Sequence, residues 1–164
     1  YVEFMEREGL SAAGLEAEYA KFEGNSKRFH DGIDRYGDRL RDTHDLLHIL
    51  TGYSRDALGE QCVLAFTYAQ NRNLGVGFIA YAGAIELKRH AAPKASVLTA
   101  VREGHRMGNA AKNIVQEDII ALLQEPLADA RTRLGMFEPV TYRKAHEEMR
   151  AGGIDPYNLV EVFA

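Results

Sequence analysis

The arrangement of His44, His48 and Glu60 around one glycine break constrains the fold of this chain more than any other feature of its sequence. On an α-helix each residue turns about 100°, so His44 and His48 lie one above the other on the same face. Thr51-Gly52 ends this helix, and an antiparallel helix after the turn would bring Glu60, about two turns into it, back level with His48. The spacing therefore predicts an αα-hairpin over about residues 36–70.

Helical signals continue along the rest of the chain, and no segment shows the sustained alternation of apolar and polar residues that marks a strand. The 164 residues suffice for one apolar core, so we expect an all-α fold, a single helical bundle spanning 1–164. Ser54, Ser96 and Thr141 are predicted N-caps. The predicted helices cover about residues 1–22, 36–51, 54–70, 74–85, 96–112, 122–134 and 142–149.

The segment 74–85 contains no charged residue. It is shorter than the roughly 20 residues that a membrane-spanning helix needs, so we predict a buried central helix. Gly75, Gly77 and Gly83 leave little side-chain bulk, which would permit close helix packing or leave room for an apolar ligand. The same small residues would also suit a homodimer interface.

Bulk composition excludes several classes of protein. The net charge of −4 argues against non-specific binding to nucleic acid, which usually shows as a basic excess. Cys62 is the single cysteine, so an internal disulfide cannot form and a reducing compartment is expected. The first residues carry acids where a signal peptide would carry positive charge, so we expect no secretion signal.

The residue types around the hairpin favour a metal site. Asp45 lies three residues before His48 and is its neighbour on the helix surface. Two imidazoles and two carboxylates suit a divalent cation, and helix bundles commonly bind metals through ligands on facing helices. We therefore predict His44, Asp45, His48 and Glu60 as ligands of one divalent metal ion. The alternative is a salt-bridged polar face, with Arg41 and Arg55 as partners for the acids.

Two catalytic motifs share part of this pattern. Zinc peptidases use His-Glu-x-x-His with the glutamate as general base, whereas Asp45 occupies that place here and is one methylene shorter. His-Asp phosphohydrolases need a separate histidine, an adjacent His-Asp pair and a distant aspartate. His30-Asp31 and His44-Asp45 both resemble such pairs, so the phosphohydrolase alternative stays open.

His-Asp-x-x-His, eleven intervening residues and then Glu resembles the signature of the coenzyme Q (ubiquinone) biosynthesis protein 4 family. The motif is read directly as His44, Asp45, His48 and Glu60, without departure in residue type or spacing. The similarity continues through 98–108 and into 122–134, so the resemblance covers about residues 36–135.

The resemblance implies an all-helical protein of ubiquinone biosynthesis that binds a divalent ion, usually zinc, at this motif; iron or another redox metal would also suit such ligands. It implies either of two functions. One is oxidative decarboxylation at C1 of a polyprenylated 4-hydroxybenzoate-derived precursor at the membrane surface. The other is a non-catalytic, lipid-binding scaffold for the other biosynthetic enzymes, with a structural metal. The expected location is peripheral on the inner membrane, cytoplasmic in bacteria and on the matrix side in mitochondria.

Overall fold

A computed structural model describes residues 2–7 and 43–159 of the chain, and all regular secondary structure in these residues is helical. The prediction of an all-α fold is confirmed. The parts of the predicted helices at 8–22 and 36–42 lie outside the described residues. The α-helices are α1 (Val2–Arg7), α2 (residues 43–51), α3 (Ala57–Asn71), α4 (Leu74–His90), α5 (Val97–Ala110), α6 (Ile119–Gln124), α7 (Leu127–Leu134) and α8 (Val140–Ala151), with 3-10 turns at Ile114–Gln116 and Pro156–Asn158.

Helix α3 is the central element of residues 43–159. It packs against α4 and α5, and α5 also packs against α8. The side chains of Leu58, Cys62, Val63 and Phe66 are fully buried along α3. Burial of such apolar side chains contributes about 1.5–3 kcal/mol each, so this helix anchors the core.

Two glycines let α5 approach α3 at backbone distance. A Cβ atom at Gly104 would lie 2.5 Å from the carbonyl oxygen of Cys62, and one at Gly108 would lie 2.5 Å from that of Phe66. Residues four apart share one helix face, so these glycines form a continuous contact surface. This packing sets the position of α3 against α5.

The prediction of a buried central helix at 74–85 is wrong. The helix extends to His90, and two of its glycines face α3: a Cβ atom at Gly77 would lie within 3.0 Å of the Tyr68 ring, and one at Gly83 would lie 2.5 Å from the Gln61 side chain. Small residues therefore permit the close packing that was expected, while the large side chains point outward. We call the exposed side of α4 the apolar face; Leu74 is 77% and Phe78 73% exposed, and the face consists of Leu74, Phe78, Ile79 and Ile85.

In the described part of the chain, none of the helices combines the length and the apolar character needed to cross a membrane.

The predicted N-cap of α3 at Ser54 is wrong, because Asp56 has that role. One carboxylate oxygen of Asp56 accepts hydrogen bonds from the backbone amides of Leu58 and Gly59, at 3.1 and 3.2 Å. A side-chain acceptor for these amides is what starts a helix. Residues 52–56 therefore form a longer connection than the sequence pattern indicated, with a non-helical backbone.

The other helix starts also depend on contacts from distant residues. The N-cap predicted at Thr141 is wrong, because α8 begins at Val140 and the carboxylate of Glu103 on α5 accepts the backbone amide of Thr141. Ser96 does precede α5 as predicted, but its side chain makes no capping hydrogen bond. The helix predicted over 122–134 is interrupted at Pro126, which lacks an amide hydrogen and separates α6 from α7.

Candidate metal centre

The turn between α2 and α3 positions the helix that carries His44 and His48 relative to the helix that carries Glu60. The hydroxyl of Thr51 donates to the carbonyl of Leu47 at 2.7 Å, within the last turn of the helix. Gly52 follows in the left-handed region at φ 77°, and its amide donates to the carbonyl of His48 at 2.9 Å. Glycine is the usual residue for such a helix end. The chain then reverses direction toward α3.

His48 has its orientation fixed by this turn. The side chain is buried, and its Nδ1 lies 3.1 Å from the backbone carbonyl oxygen of Tyr53. A carbonyl can only accept, so Nδ1 carries the hydrogen and donates. In the neutral imidazole, Nε2 then keeps its lone pair. This backbone contact is the kind that holds metal-binding histidines in one tautomer.

Three of the four predicted ligands converge. The Nε2 of His44 lies 3.0 Å from Oε2 of Glu60, and the Nε2 of His48 lies 3.4 Å from Oε1 of Glu60 and 3.3 Å from Nε2 of His44. One ligand atom from each of these residues lies within 4.8 Å of the others. The predicted meeting of His44, His48 and Glu60 across the hairpin is thus observed.

The position of Glu60 within its helix differs from the predicted one. Glu60 lies in the first turn of α3, not about two turns into it, because α3 begins only at Ala57. The connection at 52–56 has a non-helical backbone, so α3 starts later than the spacing indicated. The outcome is the same contact with His44 and His48.

The carboxylate of Glu60 is strongly stabilised in its charged form. Burial alone would raise the pKa of Glu60, but hydrogen bonds from His44 and His48 outweigh it and lower the pKa to about 2. Since Nδ1 of His48 already carries a hydrogen, its Nε2 donates to Glu60 only from the imidazolium form. In the neutral form Nε2 and the Glu60 carboxylate are both acceptors, so a hydrogen-bond donor or a cation must lie between them. The Nε2 hydrogen of His44, which is 3.0 Å from Glu60 and 3.3 Å from His48, or a metal cation meets this need.

Asp45 is not part of the converging group. On α2 it lies about 100° around the helix from His44, so its side chain is beside the pair of imidazoles rather than in their row. Asp45 instead lines a cavity of about 430 Å³, together with His44 and Arg55. Its predicted role as a ligand stays a prediction.

The alternatives from the sequence can be compared with the site. Arg55, a suggested partner for the acids, forms no salt bridge with any residue of 2–7 or 43–159. The acid that faces the imidazoles is Glu60, on the next helix. Arg41 and His30 lie outside the described residues, so the phosphohydrolase alternative is not tested.

A buried network behind the turn was not predicted from the sequence. The hydroxyl of Tyr142 on α8 donates to Asp56, and the Nε2 of His146 donates to the same carboxylate at 3.0 Å. The Tyr142 hydroxyl also accepts the backbone amide of Ser54 at 3.1 Å. Asp56 is separated from Tyr142 by 86 positions and from His146 by 90, and no local pattern links it to them. We call Asp56, Tyr142 and His146 the turn network.

The turn network supports the metal centre indirectly. It holds both ends of the segment from Tyr53 to Asp56, since the ring of Tyr142 packs edge-to-face on Tyr53 at 5.2 Å. Tyr53 provides the carbonyl that orients His48, and Asp56 begins the helix that carries Glu60. Helix α8 therefore helps to position both His48 and Glu60, because it holds the segment from Tyr53 to Asp56.

The fold and this site define a class: an all-helical protein in which two imidazoles and a carboxylate meet across a helical hairpin, beside a cavity. Residues 1–140 match the family model described as Coenzyme Q (ubiquinone) biosynthesis protein Coq4, and the chain belongs to that family. The match includes the N-terminal residues, which the sequence resemblance did not cover. No curated protein and no solved structure gives a significant match. Family membership gives the chain a role in ubiquinone biosynthesis.

Proposed function

We propose that this protein catalyses a metal-dependent oxidative decarboxylation in ubiquinone biosynthesis, with a polyprenylated 4-hydroxybenzoate-derived acid as substrate. The observation that carries the proposal is the convergence of His44, His48 and Glu60 at the edge of a cavity. About a third of the His44 and Glu60 side chains is exposed, at 34% and 32%, whereas His48 is enclosed. The open side leaves room for a substrate group beside the ligands.

The donor set fits a divalent cation. His44, His48 and Glu60 would hold it, with Asp45 as a further candidate, and a two-histidine, one-carboxylate set suits zinc as well as non-haem iron. Zinc is our first expectation and iron the alternative. When bound, the ion would withdraw charge from the acid or phenol group of the substrate. His48 would act by keeping its Nε2 lone pair directed at the site, because Tyr53 fixes its tautomer.

The chemistry requires an oxidant. Replacement of a ring carboxylate by hydroxyl breaks one carbon–carbon bond, forms one carbon–oxygen bond and removes two electrons from the substrate. With dioxygen as oxidant, the aromatic acid, one O₂ and one water give the phenol, carbon dioxide and hydrogen peroxide. Since His44, His48 and Glu60 would be ligands, none of them is free to act as a general base.

A membrane-bound substrate also requires contact with a lipid surface. The apolar face of α4 exposes Leu74, Phe78, Ile79 and Ile85. Exposed large apolar side chains grouped on one helix are a common feature of interaction sites. We propose that this face makes the peripheral contact with the inner membrane, where the other ubiquinone biosynthesis proteins would also be met.

The direct test is turnover. Protein loaded with zinc or iron is given the prenylated aromatic acid labelled at the carboxyl carbon, and labelled carbon dioxide, oxygen uptake and peroxide are measured. We expect equal amounts of carbon dioxide and oxygen, and no release by His48→Ala protein. Absence of release with every metal tested, while the substrate still binds, would contradict the proposed activity.

The second candidate is a non-catalytic lipid-binding scaffold with a structural metal. The apolar face of α4 favours it, because that face can bind lipid or another protein without any chemistry. The two candidates differ in what metal removal does. A structural metal stabilises the fold, so in a scaffold Glu60→Ala should lower the midpoint of thermal unfolding of the metal-loaded protein, and no turnover exists to be lost. The proposed enzyme should instead lose turnover in a variant that stays folded.

A further inference from the structure

The cavity beside the metal centre has walls of two kinds. Its volume is about 430 Å³, within the range of pockets that bind organic ligands of moderate size. His44, Asp45 and Arg55 contribute polar groups to its lining. The remainder is lined by apolar side chains, among them Leu64, Phe66, Val76 and Ile114, together with the polar Thr43, Thr67, Gln70 and Asn71. This lining suits a molecule with one polar end and an apolar body.

Arg55 is the unusual member of the lining. Its Nε is buried without a hydrogen-bond partner, and the guanidinium forms no ion pair with the residues that the structure describes. A guanidinium stays charged at any physiological pH. Leaving such a group partly buried and unpaired costs free energy, which a ligand anion would recover.

The position of Arg55 relates it to the metal centre. It directly precedes Asp56, the N-cap of α3, and Glu60 lies in the first turn of that helix. The wall residues Leu64 and Asn71 follow further along α3, and the seven residue steps from one to the other rise about 10 Å at about 1.5 Å per step. Arg55 is thus near the end of the cavity where the candidate ligands lie.

We propose that Arg55 is the specificity-determining residue of this cavity and binds the acidic group of an amphipathic organic acid. The inference rests on the proposed function, since it assigns a partner to the carboxylate that the reaction would remove. Arginine suits this task because its planar fork matches a carboxylate or phosphate with two parallel hydrogen bonds. The apolar walls hold the rest of the ligand.

The test is an equilibrium-binding comparison that needs no turnover. Metal-loaded and metal-free protein are titrated with three radiolabelled probes of equal prenyl length: the prenylated aromatic acid, the matching phenol without carboxylate, and a prenyl phosphate. The variants are Arg55→Met and Arg55→Lys, with Arg150→Met, an exposed arginine on α8, as the matched control. Thermal unfolding confirms that each variant is folded.

We expect Arg55→Met to weaken binding of the acid by about 10- to 100-fold, the range for loss of a charge-assisted hydrogen-bonding pair, and to change binding of the phenol by less than about twofold. The affinity of Arg55→Lys for the acid should lie between those of Arg55→Met and the unaltered protein. Arg150→Met should bind the acid as tightly as the unaltered protein does. If the phosphate loses affinity as the acid does, the group that Arg55 reads is an oxyanion in general; loss for the phosphate alone overturns the assignment to a carboxylate.

Equal losses for acid and phenol, or no loss for either, would overturn the inference. If Arg55→Met does not fold, the unaltered metal-free protein decides: it should prefer the acid over the phenol by at least about tenfold. Failure of the proposed function looks different. Selective binding of the acid without release of carbon dioxide would leave Arg55 as its anchor and contradict only the decarboxylation.

Discussion

The two histidines of the metal centre have different surroundings. His48 is buried, and its Nδ1 is bound by the carbonyl of Tyr53 in the turn that α8 supports. His44 is one-third exposed and lines the cavity. One half of the site is therefore part of the folded core, and the other half faces the space that a ligand would enter. The two halves should respond differently to substitution.

The largest effect is expected at His48. Both His48→Ala and His44→Ala should abolish tight metal binding, since each removes an imidazole from the group. Only His48→Ala should also destabilise the metal-free protein, by about 2–3 kcal/mol, because it empties a buried position and leaves the Tyr53 carbonyl unpaired. His44→Ala should cost less than about 1 kcal/mol. Metal titration and urea unfolding of both variants check this; equal loss of stability would remove the distinction between the halves.

The acids on the open side should differ as well. Glu60→Gln should lower metal affinity by more than the roughly 10–100-fold that loss of an outer partner typically costs, because its carboxylate lies within the converging group. Asp45→Asn, its matched control, should lower affinity by less, since Asp45 lines the cavity beside that group. Competition with a metal indicator measures both. An equal or larger loss for Asp45→Asn would show that Asp45 completes the ligand set.

The sequence was sufficient for the hairpin and for three converging ligands because local spacing determines both. His44 and His48 are four apart on one helix, and a glycine in the left-handed region closes the turn to Glu60. The spacing did not reveal how α3 begins. Ser54 and Asp56 are both good cap residues, and the choice between them depends on Tyr142, which lies on α8.

The burial of α4 was mispredicted for a related reason. An uncharged run indicates a buried helix, but it does not say which helix occupies the centre of the bundle. The central helix is α3, because Gly104 and Gly108 on α5 allow the backbones of α5 and α3 to come into contact there. The apolar face of α4 is then left exposed. Pairing between distant helices is the information that periodicity lacks.

A comparison of two N-cap aspartates can distinguish the effect of the turn network from that of ordinary helix capping. Asp56 and Asp118 each accept two backbone amides at the start of a helix, but only Asp56 also binds Tyr142 and His146. We expect Asp118→Ala to cost about 1 kcal/mol, as for a typical N-cap. Asp56→Ala should cost about 3 kcal/mol, because it also leaves two buried donors unpaired. Denaturant midpoints compare them; equal costs would mean that the turn network adds nothing.

The smallest effect that still tests the comparison is expected from Tyr142→Phe. Burial, followed by the charge and hydrogen bond of Asp56, raises the pKa of Tyr142 well above its usual value, so its hydroxyl remains a donor at any physiological pH. Phenylalanine keeps the ring contact with Tyr53 but removes the bridge between Asp56 and the amide of Ser54. The expected loss of stability is about 1–2 kcal/mol.

A purely structural role for Tyr142 would end with that loss of stability. If the turn network positions His48 and Glu60, Tyr142→Phe should also lower metal affinity about 3- to 10-fold under conditions where the variant is fully folded, within the effect of an outer partner. Tyr157→Phe, an exposed ring that packs edge-to-face on His146, is the control and should change neither quantity. Metal affinity that stays constant while stability falls would separate the buried turn from the metal centre, and the two halves of the site would then be independent.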